Sequence, residues 1–202
     1  MKLAVIIPVY NAENTIRKAV KSIDTTHDVE IICINDGSTD RTKQVLTELQ
    51  KEVKHLIVYH QDNQGAAKSR NMGLSAMSDD IDAFMFLDAD DQFLPGKMDQ
   101  MIQYYEKNEH LDIVIGQIGR GLNGDWKVIP THEDIHREAI VSLAEAPEIL
   151  QSIGPGGKLF KAKFNTLRFD EDVVFCEEHT FVTRAYLMSR DIQLVPFIVY
   201  GY

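Results

Sequence analysis

The sequence predicts an α/β fold, a mainly parallel central sheet flanked by helices, followed by a small and more irregular second half. Three observations predict it. Apolar runs of strand length recur at residues 3–9, 29–34, 56–59 and 84–87. Between them lie polar turns and segments whose apolar residues repeat at helical spacing. That βα alternation implies parallel strands joined by right-handed crossovers. The length of 202 residues, with 44% hydrophobic and 26% charged content, suits a globular chain with a sizeable core.

Residues 3–9 read as a strand buried on both faces, and Pro8 fits its terminus. Asn11 is placed to cap the next helix, where Ile16, Ala19, Val20 and Ile23 form one apolar face. The second strand ends in the turn Asn35-Asp36-Gly37-Ser38-Thr39-Asp40. Asp40 suits the positive end of the following helix, which turns Val45, Leu46, Leu49 and Val53 inward. After the third strand, the loop Gln61-Asp62-Asn63-Gln64-Gly65 opens a small-residue helix over 66–77. The fourth strand, Phe84-Met85-Phe86-Leu87, runs straight into Asp88-Ala89-Asp90-Asp91. Beyond Pro95-Gly96 a helix presents Met98, Met101, Ile102 and Tyr105. The regularity then weakens. Residues 112–116 and 126–129 read as strands around the turn Asn123-Gly124. Residues 131–146 are polar and loop-like, with a short helix after Pro147. Gly156-Gly157 turns into a strand at Lys158-Leu159-Phe160. Residues 177–190 read as a helix with Phe181, Ala185 and Met188 inward, and 192–200 as a last strand. With no internal repeat and no linker, 1–202 reads as one domain. It stops just after a strand, as a piece of a longer protein would.

The net charge of −10, without a basic run, argues against a nucleic-acid partner and a polybasic membrane anchor. An anionic substrate would need a few local cations or a metal. Cys33 and Cys176 have no metal-ligand or redox spacing, and Cys33 reads as a buried thiol, which fits a reducing cytoplasm. The first apolar run is too short for a signal peptide, and no stretch is long enough to span a bilayer.

Asp88, Asp90 and Asp91 carry the chemistry. Carboxylates this close are costly unless a cation or hydrogen-bond donors neutralise them. Mg2+ and Mn2+ favour such oxygen ligands, often only one or two of them plus substrate phosphates. Open α/β sheets bind ligands at the carboxyl ends of their strands. The stretch is therefore a candidate metal and nucleotide site, its alternative a solvated acidic turn. Neither Gly-x-Gly-x-x-Gly nor a P-loop follows the first strand, and no acid stands there before Glu13, which argues against dinucleotide-binding, P-loop and receiver folds.

Four ordered motifs, Pro8-Val9-Tyr10-Asn11-Ala12-Glu13, Asn35-Asp36-Gly37-Ser38-Thr39-Asp40, Asn63-x-Gly65 with Arg70-Asn71-x-Gly73, and Asp88-Ala89-Asp90-Asp91, resemble family 2 glycosyltransferases of the GT-A, Rossmann-like fold. Phe175-Cys176-Glu177-Glu178 is similar to that family's acidic pair opening a helix. The stretches from Leu94 to Asp99, Asp112 to Gln117 and Gly157 to Phe160 further resemble glycosyltransferases of wall teichoic acid synthesis in Gram-positive bacteria.

The resemblance implies a nucleotide-binding half over 1–110 and an acceptor-side half over 111–202. It implies inverting transfer from a UDP-sugar, with Mn2+ or Mg2+, to a glycan, lipid-linked or polyol-phosphate hydroxyl. The setting implied is the cytoplasm, at the inner face of the cell membrane. Asp90 would hold the metal. Asp91 would be a second ligand or lie just behind it. Asp88, followed by Ala89, would bond the ribose or orient the metal's water shell. Asp36 would read the uracil imide, with an Asx turn as its alternative. Arg70 would lie near the base and diphosphate, with a surface salt bridge as its alternative. Pro8, Tyr10 and Glu13 would line the uridine pocket, Tyr10 being as easily a packing residue. Gly65 and Gly73 would allow close backbone approach. Glu178 would be the base that deprotonates the acceptor, with Glu177 the runner-up and His179 a third option. Where the family has Glu-Asp, this chain has Glu177-Glu178, and the two could equally serve the helix dipole.

His132 and His136, four apart, read as a solvated loop, and Trp126 as a sugar platform or a packing residue. Two other classes remain. A nucleotide-sugar-binding domain without catalysis would fit the altered acidic pair. A sugar nucleotidyltransferase would need a Gly- and Arg-rich loop after the first strand, which is absent.

Overall fold

The computed structural model describes residues 1–122, 124–173 and 175–202. The first half alternates as expected: β1 (Lys2–Val9), α1 (Ile16–Lys21), β2 (Asp28–Asp36), α2 (Thr42–Glu52), β3 (Leu56–Gln61), α3 (Ala66–Ala76) and β4 (Ala83–Phe86). A two-residue strand, β5 (Gln92–Phe93), and α4 (Lys97–Lys107) follow. Then come β6 (Ile113–Leu122), β7 (Asp125–Val128), β8 (Ala139–Val141), β9 (Lys158–Lys161), α5 (Glu178–Met188) and β10 (Ile192–Gly201). Asn123, expected to start the turn between β6 and β7, lies outside the described residues; the two strands pair antiparallel on either side of it.

One mixed sheet takes all these strands, its main path running β3-β2-β1-β4-β9-β6-β10-β5. The pairs β1–β2, β2–β3 and β1–β4 are parallel, whereas β9 enters antiparallel to both β4 and β6. The chain steps outward from β1 to β3 and then returns to place β4 on the other side of β1. Strand order therefore reverses between β1 and β4, where doubly wound sheets bind ligands.

Both faces of the sheet are covered, which is why the central strands read as continuous apolar runs. Leu3, Val5, Ile7 and Val9 of β1 pack with Ile16, Ala19 and Val20 of α1, Leu46 and Leu49 of α2, and Met98, Met101 and Ile102 of α4. Ala4 and Ile6 point the other way, into a core shared with Leu74 of α3 and Phe181, Val182, Ala185 and Tyr186 of α5. On that side Phe86 meets Phe169 and Phe181 edge-on at 5.2 and 5.6 Å, and Phe169 stacks on Phe181 at 4.3 Å. Each such pair adds about 0.5–1.5 kcal/mol beyond area burial. The cluster therefore ties the end of β4 to the first turns of α5.

Several expectations are corrected. Asn11 does not cap α1; the helix starts later, behind Thr15. Met188 is exposed, and the buried face of α5 is Phe181, Val182, Ala185 and Tyr186. The polar stretch after residue 131 contains β8, which pairs with β10. The short helix expected after Pro147 is present, as the 3-10 helix Pro147–Gln151. His132 is buried, not solvated, and its Nδ1 accepts the Ile118 N–H at 3.3 Å. Burial, with the Lys158 charge nearby, drops the His132 imidazole to about 3. Of the two readings of Trp126, packing is the one seen: its ring covers Gly201, where a Cβ would collide with it.

Candidate active site

Two loops at the carboxyl ends of β1 and β2 hold each other. The Asn11 N–H donates to Ser38 Oγ at 3.0 Å, and Asn11 Oδ1 accepts the Thr39 N–H at 2.8 Å. Asn11 sits at φ +47°, a left-handed conformation that asparagine tolerates. The Ala12 N–H donates to the buried Thr42 hydroxyl at 2.7 Å. Glu13 belongs to this brace. Its N–H donates to Asp40 at 3.1 Å, and its carboxylate accepts the Arg41 N–H at 2.8 Å.

Asp36, at the end of β2, is 3% exposed. It accepts the Gln64 and Gly65 N–H groups at 2.8 Å each and the Gln61 amide at 2.6 Å. Its partners thus come from the end of β3 and the loop after it; the turn within its own loop is made by Asn35, whose Oδ1 accepts the Ser38 N–H at 3.4 Å. Three of roughly four lone-pair sites on the carboxylate are used, and one remains. Gly65 needs its φ of +91° to aim its N–H at Asp36, not space, since a Cβ there would meet nothing. Gly73 is the reverse: a Cβ would overlap Ile6, so its absence lets α3 lie close on β1.

Arg70 of α3 is 6% exposed and is no surface salt bridge. One guanidinium nitrogen donates to Asp88 at 2.9 Å and the other to Glu177 at 3.0 Å. Its plane carbon lies 5.4 Å from the Phe169 ring centre, and its Nε has no partner among the described residues. Burial works against the charge, but the Asp88 and Glu177 carboxylates outweigh it and hold the guanidinium ionised above its usual range.

The three aspartates after β4 separate. Asp88 faces Arg70. Asp90 is exposed. Asp91 turns inward and accepts the Tyr200 hydroxyl at 2.7 Å. Burial, with the negative charges of Asp88 and Asp90, raises the Asp91 carboxyl to about 7 against the lowering effect of the Tyr200 bond.

A cleft of about 650 Å3 opens at the switch point between β1 and β4. Of the residues expected in the site, Pro8, Tyr10, Asp36, Arg70, Asp88, Ala89 and Asp90 line it. Tyr10 is 52% exposed there, free to offer its ring rather than packed in the core. Glu13, Asp91, Glu177 and Glu178 are not among the lining residues. Glu177 is committed to Arg70. Glu178, the first residue of α5, makes no side-chain hydrogen bond among the described residues. Two contributors were missed from the sequence. Gln61 looked like an ordinary loop polar residue, and Tyr200 an ordinary residue of an apolar strand.

Among the described residues, no three His, Cys, Asp or Glu side chains converge as a metal-holding group. A caged metal does not fit. A Mg2+ or Mn2+ that takes one or two carboxylates and completes its shell with phosphate and water does fit the exposed Asp90 beside Asp88.

The model of the family "Glycosyl transferase family 2" matches residues 4–176. The protein named as glycosyltransferase TagX of Staphylococcus aureus (strain N315) is 37% identical over all of this chain, which spans 58% of TagX. The poly(ribitol-phosphate) beta-glucosyltransferase of Bacillus spizizenii is 28% identical over 96% of this chain and 31% of its own length. Among solved structures, S. aureus TarS 1-349 in complex with UDP superposes with a TM-score of 0.85 at 23% identity, over all of this chain and 60% of that one. Its complex with UDP-GlcNAc also gives 0.85, at 24% identity, over all of this chain and 58% of that one. The likeness to TarS shows a shared GT-A fold.

Proposed function

The chain belongs to glycosyltransferase family 2, and we propose that it transfers a sugar, with inversion, from a UDP-sugar to an acceptor hydroxyl with the help of Mn2+ or Mg2+. The observation that carries this reading is the convergence of Asp36, Arg70, Asp88 and Asp90 on one cleft at the switch point of the sheet.

Each residue has a task its surroundings support. Asp36, rigidly held, keeps one lone-pair site for the uracil imide N–H, which favours uridine over adenosine or cytidine, whose bases offer no ring N–H there. The exposed ring of Tyr10, with Pro8 behind it, gives the base a face. Arg70, shared between Asp88 and Glu177, offsets part of the negative charge that a diphosphate would meet at this acidic loop. Asp90, with Asp88 beside it, would hold the divalent cation. When bound, that cation would supply Lewis-acid neutralisation of the leaving diphosphate.

Glu178 is the proposed base, since Glu177 is occupied by Arg70. The acceptor O–H bond breaks as its proton passes to Glu178. A bond forms from that oxygen to the anomeric carbon, while the bond from the anomeric carbon to the diphosphate oxygen breaks. The bonding electrons leave with UDP, and the anomeric centre inverts. General-base assistance of this kind is worth ~10²–10⁴ in rate.

The relative from Bacillus spizizenii is named for action on poly(ribitol-phosphate). We propose a polyol-phosphate or related cell-envelope glycan as acceptor here. No helix among the described residues is long and apolar enough to cross a membrane. The proposed place of work is the inner face of the cell membrane, where a lipid-linked or polyol-phosphate acceptor would be met. Incubating the protein with UDP-GlcNAc, and then with other UDP-sugars, should release UDP faster with Mn2+ than with chelator. No release from any UDP-sugar would overturn catalysis, and UDP binding without release would identify a binding domain instead.

A further inference from the structure

We propose that Tyr200 is a positioning residue that selects which of the three aspartates face the cleft. Its hydroxyl grips the loop at residues 88–91 from behind. It accepts the Asp88 N–H at 3.1 Å and donates to the Asp91 carboxylate at 2.7 Å. The loop closes on itself through the Asp91 N–H, which donates to the Asp88 carbonyl at 3.1 Å. One hydroxyl thus fixes both ends of a tight turn, with donor and acceptor roles both used.

The ring has a built seat. Tyr200 is 3% exposed and meets Phe93 edge-on at 5.9 Å. On another side lies Gly156, where a Cβ would come within 2.9 Å of the ring. The loop carrying Gly156 is held by Lys158, a fully buried lysine whose Nζ donates to Ser152 Oγ at 2.8 Å and to the Gly154 carbonyl at 2.5 Å. Ser152 is held in turn, its carbonyl accepting the Tyr186 hydroxyl at 2.6 Å. A buried polar chain from α5 and β9 therefore supports the aromatic seat.

The consequence is a division of labour. Asp91 is drawn off the cleft and kept against Tyr200, while Asp88 and Asp90 line it. Without the hydroxyl, Asp91 loses its one side-chain partner among the described residues, and three carboxylates compete for the same water-facing space. The effect on donor binding rests on the UDP-sugar reading; the hold on the loop does not.

Tyr200→Phe keeps the ring and removes only the hydroxyl. Hydrogen exchange of the protein without ligand should show the Asp88 amide opening about tenfold faster in the variant, since it loses its acceptor. Unchanged exchange would overturn the hold. UDP titration with Mn2+ should show about tenfold weaker binding in Tyr200→Phe. Equal affinity in a wild type that binds would overturn the selection of carboxylates. A wild type that binds no UDP would count against the donor reading, while exchange still judges Tyr200. Asp91→Asn in the Tyr200→Phe background should not accelerate Asp88 exchange further, because the two groups act as one unit. Additive effects would show that they act independently.

Discussion

Arg70 Nη1 lies 3.0 Å from a Glu177 carboxylate oxygen across 107 residues of sequence. The same guanidinium holds Asp88. One buried cation thus joins the loop after β4, where the donor would sit, to the residue that precedes α5, next to where the base would sit. Removing it leaves two carboxylates of like charge facing each other. Arg70→Met should cost about 1–3 kcal/mol of stability, below the ~3–5 kcal/mol of a fully buried pair because Asp88 is partly solvated. Urea unfolding reads this, and a variant as stable as wild type would refute the strut.

Glu177 and Glu178 should separate by kind of defect. Glu178→Gln should reduce UDP-sugar turnover by about 10²–10⁴ with UDP affinity kept within about twofold, the pattern of a lost proton acceptor. Glu177→Gln weakens a strut and should lower stability more than it lowers turnover. If the two variants behave in the opposite order, the base has been misassigned.

Gly73 tests the packing that sets the cleft wall. Gly73→Ala would press a methyl into Ile6 of β1, where α3 approaches closely. Overpacking of this kind costs about 1–3 kcal/mol. The urea midpoint should fall without a change in slope, and because the clash is with Ile6 Cγ2, Gly73→Ala should cost less in an Ile6→Ala background than in wild type. An unchanged midpoint would mean that the helix can simply move away.

His132 makes a pH prediction. Its imidazole falls from 6.5 to about 3 because it is buried beside Lys158. Between those values the unfolded chain binds the proton and the folded chain does not. The His132 contribution is thus present above about 6.5 and is lost as pH falls towards 3. Asp91, raised to about 7, acts with the opposite sign over an overlapping window. Comparing wild type with His132→Gln cancels that term. The stability difference should shift in favour of the variant by a few kcal/mol, roughly, on acidification. A difference that stays flat with pH would show that His132 does not titrate in this way.

How much was legible follows from which signals are local. The strands β1, β2 and β4 announced themselves because doubly covered parallel strands are apolar on both faces, β3 by its short apolar run although it lies half-buried at the sheet edge, and α4 because its apolar face is a clean period of 3.6. The cleft aspartates were visible as a costly cluster. β5 and β8, two and three residues long, are shorter than any periodicity. Met188 kept the helical phase of Phe181 and Ala185, but α5 runs past the core at that point. Asn11 offered the chemistry of a cap, but its side chain bonds Thr39 of the neighbouring loop. Above all, Arg70 with Glu177 and Tyr200 with Asp91 pair across 107 and 109 residues. No local pattern encodes such pairings, because they exist only once the sheet has brought β4, α5 and β10 together.

The most direct test of the central claim is a UDP titration of wild type and Asp90→Ala, each with Mn2+ and with chelator. The account predicts binding that Mn2+ strengthens at least about tenfold, ~1.4 kcal/mol, and a loss of that gain in Asp90→Ala. Binding that ignores Mn2+, or a Mn2+ effect that survives in Asp90→Ala, would contradict it.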